Sequence, residues 1–160
     1  MEETKILETL KEKFPNGVLE TTALLGDETA LLRRDDLLEI VDYLRKKPFA
    51  FNLLLDMTCV DFPGRHDRFE VVYHVFSLAL NRRLRLKLCV PEDEPVDSLI
   101  RFWKNADWLE REAFDMFGVP FRGHPNLTRL FMYDGFEGHP LRKDYPLRKR
   151  QPRIALRSPE

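Results

Sequence analysis

The stretch RFEVVYHVFSLALNRRLRLKLCV, Arg68 to Val90, decides the fold class. Phe69, Val71, Tyr73 and Val75 take every second place in its first half, and Leu84, Leu86, Leu88 and Val90 do so in its second. A period of two belongs to a strand and puts the apolar set on one face. Arg83, Arg85 and Lys87 fill the other phase of the second run, so that face is wet. Joined near Asn81, the two runs predict an antiparallel hairpin, and Pro91 closes the second strand.

Working upstream, Phe51, Leu53, Leu55, Met57 and Cys59 alternate and predict a further strand, linked through the PGRHD turn at 63–67. Before it, Leu37, Ile40, Val41 and Leu44 stripe a helix. Asp35 is placed to cap that helix, Arg45-Lys46-Lys47 suits its negative end, and Pro48 stops it. Two short strands precede, near Val18–Leu24 and Thr29–Arg33, around the turn residues Gly26-Asp27. Ile6, Leu7, Leu10 and Phe14 mark a first helix, ended by Pro15-Asn16-Gly17. Downstream, Val96, Leu99, Ile100 and Trp103 predict a helical stripe with Pro95 in its first turn. Asn105 interrupts it and caps a further helix, Ala106 to Phe117, which Gly118 ends. The order α-β-β-α-β-β-β-α defines an α+β domain over residues 1–117: two layers, with a mainly antiparallel sheet.

From 118 to 160 the periodicity is lost. Pro120, Pro125, Pro140, Pro146, Pro152 and Pro159 recur through it, and so long an irregular stretch is expected to dock on something. The tail is therefore read as an extended arm, largely mobile in the free chain and ordered on a partner. Its charge sets it apart: seven Lys/Arg and two acids lie between Pro140 and Glu160, a net of +5, whereas the whole 160-residue chain carries −1. An acidic body with a basic tail points to an acidic partner surface.

Hydrophobic residues make up 43% of the chain and include 12 Phe, enough for a packed core. No apolar run reaches the ~20 residues of a membrane span. The acidic start MEETKILE has neither the apolar core of a signal peptide nor the arginines of a transit peptide. Cys59 and Cys89 form neither a CxxC pair nor a disulfide framework, which fits a reducing cytoplasm.

Chemistry concentrates in EREAFDMFGVPFRGHPNLTRL, Glu110 to Leu130. On a helix Glu110 and Glu112 diverge by ~200°, while Glu112 and Asp115 are neighbours and Arg111 stands four residues before Asp115, in pairing range. An acid–base dyad needs surroundings that push two pKa values apart, and none are evident, so the cluster reads as structural or interface ion pairing. His66, His74, His124 and His139 lack thiol or carboxylate mates at ligand spacing, and two cysteines cannot hold a four-thiolate cluster. Phosphate loops and nucleophile elbows are missing. Two corners, Gly123-His124-Pro125 and Gly138-His139-Pro140, each lead into Leu and Arg, and Phe117, Phe121, Phe131, Tyr133, Phe136 and Tyr145 run through the same region. Aromatics with arginines compose interface centres, and also nucleic-acid grooves.

Glu110-Arg111-Glu112, Asp115-Met116-Phe117-Gly118, Phe121, Gly123-His124-Pro125 and Leu127 together resemble the marker of the C subunit of NADH-quinone oxidoreductase, respiratory complex I. Gly138 to Leu147, GHPLRKDYPL, resembles that family's second marker; Leu55-Asp56 and Val60-Asp61 are similar too, and the first fifty residues match in element order. Thr128 and Phe131 depart from the family's usual basic or proline and smaller apolar residues. Because the sequence stops shortly after the second marker, the form fused to the D-type subunit is not expected. The resemblance implies a non-catalytic peripheral-arm subunit of a proton-translocating NADH dehydrogenase (a translocase), packed on the D-type subunit near the quinone-reducing end of the electron-transport chain. It implies no cofactor in this chain, FMN and iron–sulfur clusters elsewhere in the complex, and neighbours that include cluster-bearing subunits. The expected location is the cytoplasmic face of the bacterial inner membrane, as a peripheral protein that meets membrane only through the complex. Partner contacts are expected at Glu110, Arg111, Glu112, Asp115, Phe117, His124, Pro125, Arg129, His139, Pro140, Arg142, Lys143, Asp144 and Tyr145. The rival readings are the equivalent subunit of a membrane-bound hydrogenase or formate hydrogenlyase complex and, more remotely, a basic-tailed nucleic-acid binder.

Overall fold

The computed structural model describes residues 5–152. Its elements are α1 (Ile6–Lys13), β1 (Val18–Leu24), β2 (Asp27–Leu32), α2 (Leu37–Arg45), β3 (Leu53–Asp61), β4 (Phe69–Ser77), β5 (Arg82–Val90), β6 (Val96–Asp97), α3 (Ala106–Phe117) and β7 (Phe121–Arg122). Five strands form one sheet in the order β1-β2-β5-β4-β3, antiparallel except where β2 runs parallel to β5. The fold is thus the α+β, mainly antiparallel class that the alternating runs predict.

The hairpin at Arg68–Val90 is as read: Phe69 pairs with Val90, Tyr73 with Leu86 and Ser77 with Arg82. Its inward residues, Phe69, Val71, Tyr73, Val75, Leu84, Leu86, Leu88 and Val90, are all buried, and one continuous core joins them to Ile6, Leu10, Ile40, Leu44, Ala113 and Phe117 of the helices. The helical layer covers one sheet face, and among the described residues no helix covers the Arg83, Arg85 and Lys87 face.

Three local readings change. In β3 the register shifts between Leu54 and Asp56, so Leu54, Met57 and Cys59 turn inward while Leu53 and Leu55, expected inside, are 40% and 47% exposed. One extra residue in a strand reverses the facing of everything before it. Asp35 does not cap α2; it lies in a 3-10 turn, Arg34–Asp36, and no side-chain cap bond is made there. The predicted helix over 96–103 is absent. Val96 and Ser98 instead donate their N–H groups to the Pro120 and Arg122 carbonyls at 3.0 and 2.9 Å, forming the β6–β7 pair. Leu99 and Trp103 still reach the core, through turns. A partner strand some 25 residues away outcompeted the local helix.

Candidate functional site

α3 carries the site. Ala106, Glu110, Ala113 and Phe117 lie on its inner side, and Asp115 and Met116 are buried as well. Glu110 is fully buried, and its Oε1 accepts the Leu99 N–H at 2.7 Å, tying the 98–103 turns to the helix. The other oxygen, Oε2, and the buried Tyr73 Oη on β4 both lack a hydrogen-bond partner among the described residues. Burial pushes the Glu110 carboxyl up to about 7, and burial together with that neighbouring carboxylate raises the Tyr73 phenol well above its ordinary value.

Asp115 is also fully buried, with the opposite electrostatic outcome. Its Oδ2 accepts the backbone N–H groups of Leu130, Phe131 and Met132 at 3.0, 2.8 and 2.9 Å, and Oδ1 takes Arg129 Nη1 at 2.8 Å. Burial works to raise this carboxyl, but three amides and a guanidinium outweigh it and the pKa is lowered. The expected Arg111–Asp115 pair does not form. Arg111 donates to the Thr128 and Arg129 carbonyls at 3.0 and 3.2 Å and lies over the Trp108 ring.

The two Gly-His-Pro corners clamp opposite ends of α3. The Asn126 N–H donates to His124 Nδ1 at 3.0 Å, so Nε2 carries the hydrogen and donates to the Asp107 carbonyl at 3.2 Å, beside its carboxylate. At the C-terminal end, His139 Nδ1 donates to the Asp115 carbonyl at 2.9 Å, Arg142 Nε donates to the Phe117 carbonyl, and the Leu141 N–H donates to the Met116 carbonyl at 3.1 Å. Burial lowers the His139 pKa, which favours the neutral ring that this contact uses. Gly118 has φ +78, and a Cβ there would stand 2.5 Å from Arg142 Nη2 and 2.6 Å from His139 Nε2. Gly118→Ala should therefore strain the helix end by about 1–2 kcal/mol and push the clamp outward. Faster proteolytic cleavage between 138 and 150 in the variant would show it, and unchanged cleavage would count against the clamp.

A charge network was missed as a unit. Arg68 holds the buried Asp61 with both Nε and Nη2, at 2.8 and 3.0 Å, and also reaches Glu92 and Asp144 at 2.9 Å. Asp61 Oδ2 accepts the Lys143 N–H at 2.7 Å, and Arg142 Nη1 meets Glu92 at 2.6 Å. The Arg68 contacts lead in lowering the Asp61 pKa. The available signal was a carboxylate in the inward phase of β3, two places after Cys59. Tyr145 stacks on Phe136, which meets Tyr133 edge-on.

The tail is therefore not a loose arm through residue 152. It is pinned along α3 and the ends of β3 and β4, and it has a small aromatic stack of its own. Glu110, Asp115 and Phe117, expected to touch a partner, are buried inside the chain. Arg129, His139 and Arg142 act mainly in fastening the tail. Of the expected contact residues, Glu112, Pro125, Lys143 and Asp144 are exposed, Arg111, Pro140 and Tyr145 are half-buried, and the His124 side chain is buried. Trp108 and Phe131, 58% and 60% exposed, flank the place where the tail crosses α3.

Among the described residues no three His, Cys, Asp or Glu side chains converge to hold a metal. Cys59 faces the core from β3, whereas Cys89 faces the open side of β5, so the two thiols lie on opposite faces of the sheet. Burial pushes the Cys59 thiol up to about 12, against the thiolate that a metal would need.

These features define a class: a small α+β domain whose C-terminal extension is strapped across one helix by buried carboxylates. Comparison with known proteins agrees and goes further. The model of the family described as "Respiratory-chain NADH dehydrogenase, 30 Kd subunit" matches residues 30–151, and the chain belongs to this family. The C subunit of NADH-quinone oxidoreductase from Citrifermentans bemidjiense is 44% identical over 147 residues, 91% of each chain. Its counterpart in Caulobacter vibrioides is 46% identical over 132 residues, covering 82% of this chain and 67% of its own. A chain from the membrane-bound sulfane sulfur reductase, an archaeal respiratory membrane complex, shares the fold with a TM-score of 0.77 over 92% of this chain and 87% of its own, at 24% identity.

Proposed function

We propose that the chain is a non-catalytic peripheral-arm subunit of a proton-translocating NADH-quinone oxidoreductase, with core 1–117 and docking tail 118–160, packing on the D-type subunit near the quinone-reducing end. The observation that carries this reading is the exposed face of Trp108, Glu112 and Phe131 beside a strapped tail. Large aromatics and charges held rigidly at a surface fit an interface centre, where preorganisation limits the entropy lost on binding. Flavin and iron–sulfur clusters then belong to other subunits, and electrons pass this chain by. Docking on them holds it peripherally at the cytoplasmic face of the inner membrane; no described helix is long and apolar enough to cross one.

The relatives named as subunits of NADH-quinone oxidoreductase, at 44–46% identity, favour that assembly over a hydrogenase-type one. A nucleic-acid groove is disfavoured because Arg129 and Arg142 are paired with Asp115 and Glu92 of the same chain. The test is a pair of variants, Glu112→Ala and Trp108→Ala. Glu112→Ala should leave the isolated chain's stability within about 0.5 kcal/mol, as for ordinary surface positions, and Trp108→Ala, which removes the ring beneath Arg111, within about 1 kcal/mol. In combination they should weaken incorporation into the complex about thirtyfold, the loss of roughly 2 kcal/mol typical of an interface hot spot. Full incorporation of the double variant would refute the assignment of this face.

A further inference from the structure

The two edges of the sheet are treated differently. On β3 the edge is guarded by its register shift, by Asp56 Oδ1 accepting the Met57 N–H at 2.9 Å, by Asn105 Nδ2 donating to the Leu54 carbonyl at 2.8 Å, and by the tail at Asp61. Among the described residues β1 has no such cover. Its seven residues, VLETTAL, include no Lys, Arg or Pro, and its one register shift lies at the start, between Val18 and Glu20. Sheet edges are normally blunted by such devices along their length, and from Glu20 to Leu24 β1 is regular with Glu20 as its one charge, so this stretch is a pairing site.

Hairpin geometry says which groups face out. Leu25 and Gly26 have φ 54 and 86, both positive, as in a two-residue type I′ turn. Leu24 and Asp27 then form the closing hydrogen-bonded pair, followed by Thr22 with Thr29 and Glu20 with Leu31. The intervening residues, Thr21 and Ala23, turn their N–H and C=O groups outward. Among the described residues neither makes another hydrogen bond. Leu19, Leu24 and Leu25 are 59%, 73% and 97% exposed along the same edge. Glu20 is exposed and has no ion-pair partner among the described residues.

We propose that the β1 edge receives an extended strand from another subunit of the respiratory assembly, apolar in character and with a Lys or Arg opposite Glu20; this rests on the chain being a subunit of that assembly. Strand addition matches the outward amides and carbonyls, the exposed leucines match apolar side chains, and Glu20 gives the register. A second copy of this chain is a poor occupant. A seven-residue edge buries far less than the ~1,600 Å² of a stable free interface, so it holds only a segment already tethered nearby.

A photo-cross-linking residue at Thr22, read in the detergent-solubilised complex with a second probe at Phe131, tests this. A Thr22 cross-link to a different subunit is the expected result, weakened about tenfold by Ala23→Pro, which removes one outward donor and keeps the β1–β2 ladder. A Phe131 cross-link with Thr22 silent, or joined to another copy of this chain, overturns the strand proposal and leaves the α3 docking face intact. Silence at both positions overturns both.

Discussion

Asp115→Ala is expected to destabilise the isolated chain by about 3–5 kcal/mol, the usual loss when one partner of a buried ion pair is removed. For a domain of this size that lowers the melting temperature by about 6–20 °C. The cause is specific: Arg129 loses its carboxylate, and the amides of Leu130, Phe131 and Met132 lose their acceptor together. The strap should detach as a unit, so incorporation into the complex falls along with stability. Asp115 thus differs from Glu112, whose loss should spare folding. An Asp115→Ala chain that melts with wild-type would contradict the strap. Acid should mimic the mutation. The Asp115 and Asp61 pKa values are lowered in the fold, so their stabilisation is complete above the ordinary carboxylate range and fades as pH falls through the folded values.

Glu110 should respond to pH with the opposite sign. Its folded pKa is raised from 4.5 to about 7, so the fold binds this proton more tightly than the unfolded chain does. Its contribution is complete below the unfolded value and is lost as pH rises through about 7. The difference corresponds to roughly 3 kcal/mol between acid and pH 8.5. Glu110→Gln keeps an acceptor for the Leu99 N–H and removes the charge, so it should match wild-type near pH 4.5 and exceed it by up to about 3 kcal/mol at pH 8.5. Denaturant titrations of both chains at the two pH values measure this, and comparing them cancels the response of Asp61 and Asp115. Parallel pH profiles would show that the Glu110 pKa is the same in the folded and unfolded chain, contrary to its burial.

What the sequence revealed, and what it concealed, follows from the range of the interactions. Arg68–Val90 is legible because a two-residue period is local and both strands keep it without a break. The β3 register shift is invisible because one inserted residue leaves composition unchanged. At 96–103 the apolar spacing fits a helix, yet the N–H groups of Val96, Ser98 and Leu99 go to Pro120, Arg122 and Glu110, each more than ten residues from its donor. The charges of α3 mislead in a similar way. Spacing on an exposed helix pairs Arg111 with Asp115, but the tail covers that face and supplies Arg129 and three amides instead. The same irregular tail, rich in Pro and without periodicity, promised mobility. Its order comes from contacts to Asp61, Asp107, Asp115 and Phe117, which only the folded core brings together.

The most direct test of the docking role is affinity purification of the tagged chain from detergent-solubilised membranes of cells that make the whole complex. The account predicts that the D-type subunit and cluster-bearing subunits co-elute in near-equal amounts, and that the double variant Trp108→Ala, Glu112→Ala loses them while remaining folded. Recovery of the wild-type chain alone, or with nucleic acid in place of those subunits, would contradict it.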